Sequence, residues 1–117
     1  MKQQYKISCD KNNSEWENAI REEFEKVSEE DGGYMINADA TNTEEKIENF
    51  FQKQAEENGK PFLVLVKKNG KYTGEYMMSE GDGIFKHETG LSVSKIEAIK
   101  DQYNSLRNSS QTSLNPR

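Results

Sequence analysis

Apolar residues recur along this chain at two spacings, one typical of helices and the other of strands. Three stretches place them three or four positions apart, which lines them along one face of a helix. Their apolar positions are Trp16, Ile20, Phe24 and Val27, then Ile47, Phe50, Phe51 and Ala55, and last Ile96, Ile99, Tyr103 and Leu106. The sequence therefore predicts three amphipathic helices.

Strand patterns lie between and before these helices. Residues 5–9 alternate apolar and polar side chains, as in a strand with one buried face, and residues 34–38 predict a brief second strand. Residues 62–66 are apolar at every position, which is typical of a strand buried on both faces. Asn69-Gly70 tolerates the positive φ of a tight hairpin turn, so residues 72–78 are predicted to return antiparallel.

Capping and turn residues place the ends of these elements. Ser14 with Glu17 is typical of a helix start, and Asp31-Gly32-Gly33 is interpreted as the end of the first helix. Residues 84–87 are either a further strand or an extended segment. Residues 108–117 have no apolar period, so the sequence predicts one domain over residues 1–107 followed by a flexible C-terminal tail.

The predicted element order, β-α-β-α-β-β-α, specifies an α/β fold. Two β-α crossovers would create parallel strand pairs, and the hairpin would add an antiparallel pair, so a mixed sheet is expected. Helices on both faces would account for the wholly apolar strand at residues 62–66. The expected architecture is a three-layer α/β sandwich.

Composition and charge narrow the function classes. The net charge is −5, and between Glu15 and Asp31 eight acidic residues stand against only Arg21 and Lys26. With no basic stripe, direct binding of nucleic acid is not expected. Cys9 is the single cysteine, which excludes an internal disulfide. The sequence has neither a signal-peptide run nor a membrane-spanning one, so an intracellular, cytoplasmic location away from membranes is expected.

The region around the central strand resembles the thioredoxin superfamily. Lys60-Pro61 directly precedes residues 62–66, and Asn69-Gly70-Lys71 leads into a return strand. Residues 69–76 are similar to the hairpin end of glutaredoxins and of the small SH3-binding glutamic-acid-rich proteins. Gly90-Leu91-Ser92 resembles the entry to the last thioredoxin helix. The resemblance implies a thioredoxin-like fold in which Pro61 is cis and faces the active site.

The chain departs from that family at the redox motif. Residues 8–14 contain Cys9 but no second cysteine, so dithiol chemistry within one chain is excluded. Cys9 remains a candidate monothiol nucleophile opposite Pro61. Against this, Glu15 and Glu17 in the first helical turn oppose formation of a thiolate, and cysteines on strands are usually inert core residues.

Other candidate chemistry is sparse. His87 is the single histidine and is interpreted as a surface residue, because one histidine without suitably spaced partners makes no zinc site. The two carboxylates of residues 79–83 lack the alternating acids of a calcium loop. No metal site and no cofactor are therefore expected.

Two groups of residues are candidates for binding another protein. Tyr72, Tyr76 and Met78 alternate on the return strand, where they would either form an adhesive surface on an open edge or pack beneath the last helix. The acidic face assigned to the first helix is a docking surface for a basic partner. Its residues are Glu22, Glu23, Glu29 and Glu30.

Three functional hypotheses follow. The preferred one is a redox-inactive, non-catalytic thioredoxin-like module that binds a protein partner, or a small subunit of a larger assembly. The second is a monothiol glutaredoxin-like enzyme that uses Cys9 with Pro61. The third is an acidic inhibitor or nucleic-acid mimic that acts through the first helix.

Overall fold

The computed structural model describes residues 3–9, 14–24, 26–30, 33–57 and 59–113 of the chain. Within these ranges the chain forms six strands and three helices. In chain order they are β1 (Gln3–Ser8), α1 (Ser14–Glu23), β2 (Val27–Glu30), β3 (Gly33–Asn37), α2 (Glu44–Glu57), β4 (Phe62–Lys68), β5 (Lys71–Ser79), β6 (Lys86–Glu88) and α3 (Val93–Ser113). The α/β class predicted from the sequence is confirmed.

The strands form one sheet in the order β2-β3-β1-β4-β5-β6. Strand β1 lies inside it, with Ile7 opposite Tyr34 of β3 on one side and Val64 of β4 on the other. Every pairing between the described strands is antiparallel. The prediction of a mixed sheet was therefore wrong.

The physical reason is that each helical crossover skips a strand. Strands β1 and β2, joined through α1, run in the same direction, but β3 lies between them. Strands β3 and β4, joined through α2, also run in the same direction, with β1 between them. The two strands joined by each crossover are thus parallel, as expected for β-α-β units. They do not pair with each other, however, because an antiparallel strand lies between them.

The sequence prediction missed strand β2. Helix α1 ends at Glu23, and residues 27–30 pair with β3 instead of extending the helix. Val27 still packs against the core, which is why it fitted the helical apolar stripe. Glu30 pairs with Gly33, so only Asp31-Gly32 separates the strands in sequence. Asp-Gly is typical of a two-residue hairpin connection as well as of a helix end, and both residues lie outside the described ranges.

Strand β4 is the centre of two hydrophobic cores. On one face α1 and α2 supply Trp16, Ile20 and Phe51, which pack with Phe62 and Val64. On the other face the α3 residues Ile96 and Tyr103 pack with Leu63 and Leu65. Burial of β4 on both faces, predicted from its apolar run, is confirmed.

The hairpin between β4 and β5 is also confirmed. Asn69 has φ of 56° and Gly70 has φ of 77°, so both turn residues adopt the left-handed conformation that the sequence predicts for them. By contrast, Pro61 is not in the cis form that the thioredoxin resemblance implies, because the described residues contain no cis peptide bond. The structure has two strands beyond the predicted element order. Strand β2 was not predicted, whereas β6 matches the strand alternative given for residues 84–87.

Helix α3 continues to Ser113, beyond the boundary at residue 107 where the sequence predicts a tail. Extending a formed helix adds a hydrogen bond for each residue fixed, so no apolar stripe is needed for these turns. Residues 114–117 lie outside the described ranges. Neither this helix nor another in the described part of the chain is long and apolar enough to span a membrane.

Gly74 of β5 provides a test of how the segment before α3 is attached to the sheet. Gly74 has a φ of +90°, in the left-handed region. The Leu91 amide donates a hydrogen bond of 3.0 Å to the Gly74 carbonyl, so the two backbones lie close together. A Cβ at Gly74 would lie 2.5 Å from the Leu91 carbonyl oxygen. We expect Gly74→Ala to lower the free energy of unfolding by about 2 kcal/mol or more, since it combines left-handed strain with a backbone clash. Urea denaturation followed by Trp16 fluorescence measures this loss.

Gly59→Ala is the matched control, because among the described residues a methyl group added at Gly59 would have no heavy atom within 4 Å beyond its chain neighbours. The control should change the free energy of unfolding by no more than about 0.5 kcal/mol. Equal stabilities of the two variants would contradict the close approach of Leu91 to β5.

Candidate functional site

Helices α1 and α2 lie on the same face of the sheet, and an open groove with a volume of about 580 Å³ runs between them. Ala19 of α1 and Phe50 of α2 supply apolar surface to its lining. Its charged lining residues are Glu22 and Glu23 of α1 and Glu45, Lys46 and Lys53 of α2. Such a combination of apolar and charged surface is suited to a segment that offers both kinds of side chain.

The apolar part of the groove rests on fixed aromatic rings. The Phe50 ring lies 5.1 Å from that of Phe24 and 5.0 Å from that of Phe51, both in edge-to-face arrangements. Phe51 in turn lies 5.3 Å from Phe62 of the central strand. Phe50 is therefore held by packing that reaches the sheet, and as a core residue with 9% exposure it presents a small, fixed apolar area to the groove.

The two walls of the groove differ in charge. On α1, Glu22 and Glu23 are exposed acids. On α2, Lys46 and Lys53 contribute positive charge, and the Lys46 Nζ lies 5.7 Å from the centre of the Phe24 ring. The groove is thus acidic along α1 and of mixed sign along α2, which would orient a charged segment lying between them.

The structure separates the four acids that were assigned to the first helix. Glu22 and Glu23 do lie on α1, but the helix ends there, and Glu29 and Glu30 lie on the edge strand β2. Glu29 accepts a hydrogen bond of 3.1 Å from the guanidinium of Arg21, which also donates to Glu17 over 3.1 Å. Glu29 therefore helps to tie β2 to α1, whereas the side chain of Glu30 is outside the described part of the chain.

Tyr76 and Met78 do not lie on an open edge, whereas Tyr72 lies on the part of β5 that β6 does not reach. Strand β5 pairs with β4 on one side and, at residues 76–78, with β6 on the other. Tyr76 and Met78 are buried against α3, and the half-buried Tyr72 accepts a hydrogen bond of 3.1 Å from Lys100 of that helix. Of the two predicted placements, these residues adopt the one beneath the last helix.

Cys9 is a core residue in the structure. Its side chain is fully buried among the apolar residues that α1 and α2 cover. Pro61 is half-buried just before β4. A thiol in this position reaches a substrate only if the surrounding core opens, which separates it from the exposed, activated cysteines of redox enzymes.

The sequence prediction missed a cluster around His87. Its Nδ1 lies 3.0 Å from a carboxylate oxygen of Glu48 on α2, and its Nε2 lies 2.7 Å from a carboxylate oxygen of Glu75 on β5. Burial lowers the pKa of His87, but hydrogen bonds to Glu75 and Glu48 outweigh it, so that the pKa is raised above its ordinary value. No local sequence pattern marks this cluster, because Glu75 and Glu48 lie 12 and 39 residues before His87 along the chain.

No metal centre emerges from these side chains: within the described ranges, no group of three or more His, Cys, Asp or Glu residues is placed to hold a metal ion. Comparison of the chain with protein-family models, curated protein sequences and solved structures finds no match. Its function is therefore inferred from the groove and the charged clusters themselves.

The burial of Cys9 predicts how its thiol reacts. We expect iodoacetamide to alkylate native Cys9 on the order of a hundredfold or more slowly than the denatured chain, because reaction requires local opening of the core. Mass spectrometry of quenched samples measures both rates, and the denatured chain is the control for intrinsic thiol reactivity. Equal native and denatured rates would contradict the buried position.

Proposed function

We propose that this chain is a non-catalytic protein-binding module that takes up a segment of a partner protein in the groove between α1 and α2. The observation that carries this proposal is an open groove of about 580 Å³ with apolar lining from Phe50 and Ala19, bordered on α1 by Glu22 and Glu23. The partner segment would carry an apolar side chain beside Lys or Arg.

Each part of the groove would make a different contribution to binding. An apolar side chain packed against Ala19 and the exposed part of Phe50 would contribute to affinity. Because the groove is open, the contribution would be a fraction of the about 1.5–3 kcal/mol that complete burial of such a side chain is worth. Basic side chains facing Glu22 and Glu23 would set the orientation of the segment and speed association. The groove is comparable in volume to clefts that hold small ligands, about 300–1,000 Å³, and its open form accommodates a chain that runs through it.

The charges favour a short basic and apolar segment over nucleic-acid mimicry. A mimic needs a continuous negative surface, whereas here Arg21 pairs with Glu17 and Glu29, and Lys46 and Lys53 stand on the opposite wall. The buried Cys9 thiol gives no support to the monothiol alternative. Binding in the groove requires only the placement of α1 and α2 and does not depend on a thioredoxin-like arrangement of layers.

A displayed library of random short peptides, selected on the full chain, tests this proposal. We expect the enriched peptides to combine Lys or Arg with a large apolar residue. Against the strongest of them, the double variant Glu22→Gln/Glu23→Gln should bind about tenfold more weakly, a loss of about 1.4 kcal/mol. Isothermal titration calorimetry at low ionic strength measures the two dissociation constants.

The matched control is Glu56→Gln/Glu57→Gln, which makes the same change in net charge at exposed positions of α2 outside the groove lining. It should bind the peptide within about twofold of the unmodified chain. Equal losses in the two double variants would mean that net charge alone drives binding. That result, or enrichment of peptides without basic residues, would overturn the assignment of Glu22 and Glu23.

A further inference from the structure

His87 connects three elements that are distant along the chain. It lies on β6, an edge strand of three residues whose one partner among the described strands is β5. Its two ring nitrogens approach Glu48 of α2 at 3.0 Å and Glu75 of β5 at 2.7 Å. One side chain therefore joins the edge of the sheet to a helix that packs on its face.

The state of protonation decides whether both contacts are favourable. A neutral imidazole has one N–H donor and one lone pair, whereas the imidazolium ion donates from both nitrogens. Carboxylates accept hydrogen bonds but do not donate them when ionised. With Glu48 and Glu75 both ionised, only the imidazolium satisfies both; the neutral ring would turn a lone pair towards one carboxylate.

The surroundings of the ring are predominantly negative. Glu44 of α2 and Tyr5 of β1 lie in the same neighbourhood as Glu48 and Glu75. The pKa of the Tyr5 hydroxyl is raised, first by burial and then by the charges of Glu44, Glu75 and Glu48. The Tyr5 hydroxyl is neutral and donates a hydrogen bond of 2.9 Å to Gln3.

The charged neighbours of His87 on its own strand have other partners. The Lys86 ammonium donates to Glu80 over 2.8 Å. Burial, and after it the interaction with Glu88, raises the pKa of the Tyr76 hydroxyl. The Phe85 ring centre lies 6.1 Å from the imidazole. The charges facing the imidazole are therefore those of the glutamates, which favour its protonated form.

We propose that His87 is a proton-operated clamp, in which the imidazolium ion holds β6 and β5 to α2 and the loss of its proton releases one of the two carboxylates. If Glu48 is the carboxylate released, β6 would lose its link to α2 but keep its main-chain pairing with residues 76–78 of β5 and the ion pair of Lys86 with Glu80. The clamp does not rest on the function proposed for the groove between α1 and α2.

The direction of the pH effect follows from the raised pKa of His87. A group whose pKa is higher in the folded chain than in the unfolded chain binds its proton more tightly when folded. The stability that it contributes is complete below its ordinary pKa of 6.5, and it is lost as the pH rises through the folded-state value.

An NMR titration of the imidazole C–H signal tests the clamp directly, since the chain has a single histidine. The midpoint should lie at higher pH in the native chain than in the urea-denatured chain. As the pH rises from the denatured-state midpoint through the native-state midpoint, the folding equilibrium constant should fall. The fall should be about tenfold for each pH unit that separates the two midpoints. His87→Gln should lose this fall when unfolding is measured over the same pH range.

Glu48→Gln keeps the test decisive if His87→Gln fails to fold. It removes the carboxylate on α2, so the native midpoint of His87 should move to lower pH and the pH dependence of folding should shrink. Glu57→Gln, at an exposed position of the same helix, is the control and should leave the midpoint unchanged. A native midpoint at or below the denatured one, or a midpoint insensitive to Glu48→Gln, would overturn the clamp.

Discussion

The burial of β4 on both faces is the constraint on which the rest of this structure depends. Residues 62–66 alternate between two hydrophobic cores, so each face of the strand must be covered by helices and each edge by another strand. Helices α1 and α2 satisfy the first requirement on one face and α3 on the other, while β1 and β5 occupy the edges. With only 32% of the chain apolar, nearly all of the large apolar side chains are committed to this arrangement.

The candidate site is a consequence of how the chain reaches that arrangement. Each of the first two crossovers passes over one strand, and the two helices that make them lie on the same face of the sheet. Their facing sides meet over Phe24, Phe50 and Phe51, and their charged outer residues border the groove between them. The groove is therefore built into the main core, and the same aromatic packing that holds the two helices to the sheet fixes its walls.

Charged residues have two distinct roles in this molecule. On α1 Glu22 and Glu23 are exposed to water, so their electrostatic effect is screened by salt. Around His87 the carboxylates of Glu48 and Glu75 are held within hydrogen-bond distance and partly removed from water. There the same type of side chain changes proton affinity, because a short, partly buried contact is much less screened than an exposed one.

What could be predicted from the sequence was local. Helices α2 and α3, the part of α1 that carries Trp16 and Ile20, the doubly buried strand at residues 62–66 and the left-handed turn at Asn69-Gly70 follow from periodicity or from the conformational range of single residues. The acids Glu22 and Glu23 of the candidate site were also identified, because a run of charge is visible in the chain itself.

Only the tertiary structure decided which strands are neighbours, that residues 27–30 belong to the sheet, and that His87 lies between Glu48 and Glu75. Strand neighbours depend on contacts between segments far apart in sequence, and the same apolar residue, such as Val27, satisfies a helical or a strand pattern equally well. Local periodicity carries no information about such choices, because they are settled by which packing buries the most apolar surface at once.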